Sequence, residues 1–589
     1  MARVVWMALL RRSLNAWCKS FFSVFFKNKE KALSWFALTA FAGIGLFGYT
    51  LQAVDWFHAT PGDLIDGRFN SVILEHFFNW ARLGLNGQWT DIWSPTFFYP
   101  YQKVLGFSDN HFGTALSYAL LRSLGFSREI SFGGWYVFGV FLNFVCSYFV
   151  FRRLQFGSFS SSAAAFVYAF ALPVIAQDGH SQFSYRFAVP LAFLAFWQLV
   201  NNRNLPSLAW LAFWVSFQFF CSIYLGIFLT AFLMACSISV FLLPNKKTGA
   251  TLLDSWRKQS TTGKLFYLSV LIVSSLATIA LGIEYHVISQ QYGFASDAHE
   301  MSQMIPRLES YFIADRSPLS AFIGKMSADN LAASPYRSEH QLFFGIGVLI
   351  FFVIGTWFCW TSAFAKKHLL NPSVIRVSRV AFLALVIIFF GTLTYGIGSA
   401  WMQFMMVPSL KFIRAVTRIV LIMTFPVSIM VAVACEKLYD SIQPKNYLKK
   451  IALVIGAAIL LSSETVFFQS SRTPNEAWAQ RLQKLESDLP NPLPANSVLF
   501  VVKDESKPGY ELPEVDAMVL AQDRGIPTIN GYSGKFPPGN EHNPIERCIP
   551  AIERLEAYAK FSEIPAEDTK NLIMNKIIQI PNISCGTVK

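Results

Sequence analysis

A chain of 589 residues that is 53% hydrophobic, 16% aromatic and only 14% charged has too little charge to cover a soluble globule, where about a quarter of residues are charged. The same figures exclude a disordered chain, a collagen, a coiled coil and a small disulfide scaffold, and leave a polytopic membrane protein. The net charge of +13 would suggest nucleic acid in a soluble protein. Here no such motif accompanies it and the basic residues gather in short loops, so nucleic acid is not an expected partner.

Residues 1–33 hold Arg3, Arg11, Arg12, Lys19, Lys27, Lys29 and Lys31 against one acid, Glu30. They read as a basic amphipathic segment on the cytoplasmic leaflet. A membrane crossing needs about 20 apolar residues to cover about 30 Å. Candidates fall at 34–54, 131–151, 160–177, 185–200, 207–223, 225–243, 264–284, 342–362, 378–398, 415–435 and 450–467. The fold class expected is therefore an α-helical polytopic membrane protein with about eleven transmembrane helices over 34–467. With the N-terminus inside, eleven crossings put Arg152/Arg153, Arg203, Lys246/Lys247, Lys366/Lys367 and Lys445/Lys449/Lys450 on the cytoplasmic side, as the positive-inside rule asks. Asp109, Asn110, His111 and Arg122 make 109–124 an interfacial helix rather than a crossing.

Three long polar stretches then lie outside: 55–130, 285–341 and 468–589. The last becomes rich in Pro, Asn and charge, and reads as a small extracytoplasmic α/β domain. SVLFVV (497–502) suggests a strand. LPEVDAMVLAQDRG (512–525) has the helical spacing of Val515, Met518 and Val519 with a glycine stop, and PTINGYSG (527–534) suggests a second strand ending in a turn. Asn530–Gly534 either covers an outer cleft or is a stabilising cap. Of eight cysteines only Cys548 and Cys585 fall in this tail; they can pair if it faces an oxidising space.

The first outer stretch carries Asp55, Asp63 and Asp66 directly after the first span. Phe69, Val72, Ile73, His76, Phe77 and Trp80 follow at helical spacing, as in a helix lying on the membrane. Carboxylates there sit at the height of a lipid head group. The other reading is that Asp63 and Asp66 are turn or N-cap residues, because Pro61-Gly62-Asp63 is turn chemistry.

Asp66-Gly67-Arg68-Phe69 opens the helix, Gly87-Gln88-Trp89 follows it, and Phe97-Phe98-Tyr99-Pro100 comes next. This order resembles the type C glycosyltransferases, the aminoarabinose-transferase and protein O-mannosyltransferase branches among them. Arg152-Arg153-Leu154, a small-residue span and then Gln177-Asp178-Gly179-His180 resemble the YfhO-like bacterial members. The resemblance implies an enzyme using a polyprenyl-phosphate sugar donor, with a first-loop aspartate as general base. By position that is Asp66, with Asp63 in reserve. Many relatives have Glu where this chain has Gly67, so no second carboxylate is expected there. Lys411, Arg414 and Arg418 share one helical face at the outer end of the tenth span. They form either a clamp for the lipid phosphate or snorkelling partners for loop acids.

His180, with Asp178 and Arg186, sits at the next outer turn and is a candidate substrate contact, as is Asp109 with His111; the alternatives are an interfacial histidine and a helix cap. Asp297, His299 and Glu300 have the ligand types for a divalent metal without a recognised spacing. They are read, with Tyr336-Arg337-Ser338-Glu339-His340, as a solvated loop; no metal ligands are assigned. Gly43-x-Gly45-x-x-Gly48 lies inside an apolar span, so it signals close helix packing and not a dinucleotide site. The expected function is a bacterial inner-membrane glycosyltransferase acting on a lipid, glycan or protein acceptor. The alternatives are a transporter or flippase of lipid-linked glycans and a non-catalytic assembly factor.

Overall fold

The computed structural model describes residues 29–243, 252–294, 298–327, 329–332, 334–361, 370–396, 398–404, 413–504, 509, 511–541, 548–565, 567–568, 573–581 and 585. Residues 1–28, Lys246/Lys247, Asp297, Lys366/Lys367 and Lys411 lie outside the described residues.

The eleven apolar stretches fall on helices. In chain order, with two further helices in the first outer segment, these are α1 Lys29–Ala53, α2 Asp66–Leu85, α3 Ala115–Ser123, α4 Arg128–Arg153, α5 Ser158–Ile175, α6 Ala188–Asn202, α7 Leu205–Cys221, α8 Ile223–Leu242, α9 Thr261–Tyr292, α10 Ile346–Thr361, α11 Pro372–Thr392, α12 Val416–Ser441 and α13 Tyr447–Val466. Seven of the described helices (α1, α4, α5, α8, α9, α11 and α12) are long and apolar enough to cross a membrane, which makes this a multi-pass membrane protein. The remaining four expected crossings do not meet that measure of length and composition. At 1.5 Å per residue the 15 residues of α6 rise about 22 Å, less than the hydrocarbon core. Helices α7 and α10 have 17 and 16 residues, and α13 opens on Lys449 and Lys450 and ends near Glu464.

The centre of the bundle is α12, buried without interruption from Val420 to Cys435, as expected of a helix that is apolar all round. It packs on α5, whose run Ser160-Ser161-Ser162-Ala163-Ala164-Ala165 is buried too. Such small side chains let helix backbones approach closely. The same device recurs on α10, where a Cβ on Gly347 or Gly355 would collide with the carbonyls of Leu460 and Met430. Gly45 meets the Phe170 ring and Gly48 lies against Val466, as the packing reading required, whereas Gly43 has nothing near it.

The part of the protein beyond the helical bundle is built around α2, and here the structure corrects the expectation of a helix lying on lipid. Its first half is buried. Phe69, Val72 and Ile73 join Val515, Met518 and Val519 of the tail helix α15 (Glu511–Arg524) in one apolar cluster that includes Trp478 of α14 (Asn475–Glu486). The apolar stripe was read correctly, but protein covers it. Arg68, fully buried, pairs with Asp516, which Arg481 also holds. Strand β1 (Ala59–Pro61) pairs antiparallel with β2 (Arg472–Pro474), stitching the exit of α1 to the exit of α13.

In the tail, β3 (Val498–Val501) pairs in parallel with β4 (Ile577–Ile580), flanked by α15 and α16 (Ala551–Phe561). Gly525 ends α15 with φ +66. Residues 527–530 do not form the expected strand. They make a single bridge from Thr528 to Leu499 and turn their other edge to the first outer segment, through Phe98 N to Asn530 O and Tyr99 N to Thr528 O. Cys548 and Cys585 form a disulfide.

Removing one partner of a buried ion pair leaves a charge stranded, at a cost of about 3–5 kcal/mol. Asp516→Ala should therefore lower stability by about that amount, read as a fall in melting temperature and faster proteolysis of the tail. A loss under about 1 kcal/mol would show that the pair does not hold tail and α2 together.

Candidate functional site

A cavity of about 650 Å³ opens where one end of the helical bundle meets the segment 55–130 and the tail. Its polar side holds Asp66, Asn70, Asp109, His180, Gln182, Arg414, Arg418, Tyr532 and Lys535; its apolar side holds Ile223, Ile227, Ile279, Leu281 and Ile283 of α8 and α9.

Asp66 is placed by the turn before it. Asp63 Oδ1 accepts from the backbone N–H groups of Ile65 (2.9 Å) and Asp66 (2.8 Å), a side-chain turn of the kind aspartate favours. Asp63 itself is not among the residues that line the cavity, so the turn reading fits it better than that of a reserve base. Gly62 lies so close to the backbone at Gly179 that a Cβ would approach it to 2.9 Å, and its φ is +85. This contact draws the first outer turn onto the loop that carries His180. Gly67 also has no room for a side chain, because a Cβ would sit 2.8 Å from the Pro61 carbonyl oxygen. Position 67 thus supplies no carboxylate. The Tyr532 hydroxyl donates to Asp66 Oδ1 at 2.8 Å, while Asp66 Oδ2 lies 3.7 Å from His180 Nε2, beyond hydrogen-bonding range. Asp66 thus lines the cavity with one carboxylate oxygen held by the tyrosine.

Arg418 donates from Nη2 to His180 Nε2 at 2.8 Å. A guanidinium can only donate, so the ring accepts at Nε2 and carries its hydrogen on Nδ1. Burial and the Arg418 charge both hold the imidazole pKa below its ordinary value, against Glu339 and Asp66. Arg418 also donates from Nε and Nη2 to Glu339 at 3.1 and 2.5 Å. Burial alone would push the Glu339 carboxyl up, but the Arg418 charge and hydrogen bonds overrule it and bring it down to about 2. The segment around Glu339 is therefore not a solvated loop. Glu339 and His340 are buried, and Ser310 meets His340 Nδ1 at 2.7 Å.

Asp109 lines the cavity, yet its carboxylate accepts from Ser222 Oγ (3.0 Å) and Ile223 N (2.7 Å) at the start of α8. It is a cap, but of a helix more than a hundred residues away. His111 bonds Asn70 Oδ1 at 2.8 Å, and burial pushes its pKa down to about 3. Arg186 and Asp178 are framework. Arg186 is fully buried against Tyr168, Leu421 and Thr424. Asp178 is clamped by Arg316 and Ser471 N. Arg414 lines the cavity and pairs with Glu300 at 2.8 Å. Among the described residues no three His, Cys, Asp or Glu side chains group as metal ligands.

Tyr532, Lys535, Asn70 and Gln182 were not singled out from the sequence, and Glu339 was read as part of a solvated loop. Only the tyrosine's place in the turn-rich Asn530–Gly534 run hinted that the tail covers a cleft.

No family model and no curated protein matches the chain. Among solved structures it is similar to the mycobacterial arabinofuranosyltransferase AftD, with a TM-score of 0.44 and 12% identity over 79% of this chain and 29% of that one. A mutant form of the same enzyme gives 0.40 and 12%, over 79% and 30%. The chain thus spans less than a third of that enzyme's length, and no residue role is taken from the likeness.

Burial raises the Asp109 pKa from 3.8 to about 6, against the opposing hydrogen bonds. The folded state then holds its proton more tightly than the unfolded chain. This group's contribution therefore worsens as pH rises from about 4 to about 6, and above that it costs about 3 kcal/mol. Asp109→Asn, which keeps an acceptor for Ile223 N, should be more stable than the parent at pH 7.5. The advantage should shrink toward zero near pH 4, followed by thermal unfolding across that range. A pH-independent difference would contradict a buried, raised carboxyl.

Proposed function

We propose that the protein is an integral-membrane glycosyltransferase of the type C kind. It would move a sugar from a polyprenyl-phosphate donor to a lipid, glycan or protein acceptor at the outer face of a bacterial inner membrane. All eleven helices would cross, with the N-terminus cytoplasmic and residues 468–589 outside. The observation that carries the reading is one cavity lined together by Asp66, by two arginines from a distant segment and by isoleucines of α8 and α9. Such a cavity suits an amphipathic ligand, whose polar head sits between acid and cation and whose hydrocarbon lies along α8 and α9.

The chemistry is a single displacement. An acceptor hydroxyl attacks the anomeric carbon and Asp66 Oδ2 takes its proton. The bond from that carbon to the phosphate oxygen breaks, and the lipid phosphate departs with the electron pair toward the arginines. The configuration at carbon inverts. Tyr532 occupies Oδ1, so the proton is directed to the other oxygen. A positioned base contributes roughly 10²–10⁴-fold, and cations aimed at the leaving phosphate stabilise charge as it develops.

Asp66→Asn in proteoliposomes supplied with polyprenyl-phosphate sugars should cut turnover at least about a hundredfold while leaving donor binding within a few-fold. Turnover equal to the parent would remove Asp66 as the base.

A further inference from the structure

Gln182 lines the cavity with Asp66 and Asn70, and its amide is held in one orientation by a chain of hydrogen bonds. Asn70 follows Asp66 by four residues on α2, so the two side chains share a face of the helix. One end of the Asn70 amide lies 2.7 Å from the Asp66 backbone carbonyl. A carbonyl can only accept, so that end is the nitrogen. The oxygen then meets His111 Nε2 at 2.8 Å. Burial keeps His111 neutral, so the ring carries its hydrogen on Nε2 and donates it. The second hydrogen of Asn70 Nδ2 goes to Gln182 at 3.1 Å, where Oε1 accepts. The amide nitrogen of Gln182 is therefore the far end of a chain that runs from His111 through Asn70.

Among the described residues nothing accepts from Gln182 Nε2, and this nitrogen is not shut away from solvent. The space that Gln182 borders is the cavity. The Asp66 carbonyl and Gln182 Oε1 share one amide nitrogen, so the Gln182 amide lies within two hydrogen-bond lengths of the Asp66 backbone. A carboxylate, which only accepts, and an amide end, which only donates, thus border one space. A hydroxyl does both. Two hydroxyls on neighbouring carbons satisfy the pair together, one giving its hydrogen to Asp66 and the next taking one from Gln182. Phe219 and Tyr224, both half-buried, line the same cavity and offer apolar surface to the C–H face of a sugar ring. The tail closes one side of Asp66, because Tyr532 is bonded to it and Gly531 and Gly534 pack against Phe98 and the Phe107 backbone. A terminal sugar needs one way in, whereas a serine or threonine carries one hydroxyl and a peptide chain that must leave by two.

We propose that Gln182 selects the acceptor: it donates to the hydroxyl next to the one that Asp66 deprotonates, so the acceptor carries a vicinal diol, as the terminal sugar of a glycan does. Asn70 is a positioning residue that keeps the Gln182 amide turned this way. The assignment rests on the transferase reading for which hydroxyl reacts, whereas the diol site is a binding site in its own right.

The test is binding of trans-cyclohexane-1,2-diol, cyclohexanol and N-acetylserinamide to the full chain in nanodiscs, followed by ligand-observed NMR against empty nanodiscs, with no turnover required. The parent should bind the diol about three- to tenfold more tightly than either single alcohol, the effect of one further neutral hydrogen bond. Gln182→Leu should abolish that preference and leave cyclohexanol unchanged. Gln182→Glu, which keeps an oxygen for Asn70 but turns the donor into an acceptor, should abolish it too. Asn70→Ala should lower the preference, and Gln182→Leu added to it should bind the diol no more weakly than Gln182→Leu alone. Equal binding of diol and cyclohexanol by the parent, tighter binding of the serine derivative, or a preference that survives Gln182→Leu would overturn the assignment. The two readings separate cleanly. A Gln182-dependent diol preference in a chain that transfers no sugar sinks the transferase and keeps the site. Transfer to a glycan in which Gln182→Leu leaves the acceptor KM unchanged sinks the site and keeps the transferase.

Discussion

A guanidinium taken out of water must find acceptors for its N–H groups, and the part of this protein where the helical bundle meets the tail is organised by arginines that find carboxylates. Arg68, at the start of α2, finds Asp516 in the tail; Arg554 finds Glu514; Arg316 finds Asp178; Arg418 finds Glu339. Every carboxylate lies in a different segment from its partner. Buried pairs of this sort add little net stability, since desolvation offsets attraction, but breaking one is severe. Their effect is to fix which segment lies against which. The Arg68 pair is the one on which the cavity depends, because it seats α15 on α2 and so brings the following turn, with Tyr532, over Asp66.

The polar groups of the cavity divide into those that are committed and those that are presented. Asp63, Asp109 and Asp178 spend their oxygens on backbone N–H groups or on Arg316. Asp66 differs in lining the cavity with one oxygen held by a neutral phenol and, among the described residues, no backbone or arginine hydrogen bond on the other. Glu339 is held deprotonated by its arginine, whereas His180 beside it is held neutral. A buried charge pair next to an uncharged imidazole is a stable ordering of protons, and it needs no water to maintain it.

The helical part was legible because apolar runs and glycine spacing report local geometry. Gly45 and Gly48 pack as their spacing implied, and α15 stops at the glycine that marks its end. The turn at Asp63 was legible for the same reason. What could not be read was partnership. Asp109 looked like a cap but gave no sign that it caps α8 across 114 positions. The apolar stripe of α2 is the same whether lipid or α15 covers it. Strand β4, which pairs with β3, has too short an apolar run to stand out from the loop around it. Glu339 looked solvated because nothing near it in sequence is cationic except Arg337, which turns instead to Asp315.

The hydrogen bond from Tyr532 to Asp66 joins residues 466 positions apart, and the β1–β2 pairing joins the two exits of the helical domain. Nearly all of the bundle therefore lies inside one loop closed by these contacts. During biosynthesis the aspartate emerges hundreds of residues before the tyrosine that it meets. A nascent or truncated chain can thread every helix and still lack the roof of its cavity. A chain that stops short of Tyr532 leaves the cavity open on the side where that side chain would meet Asp66.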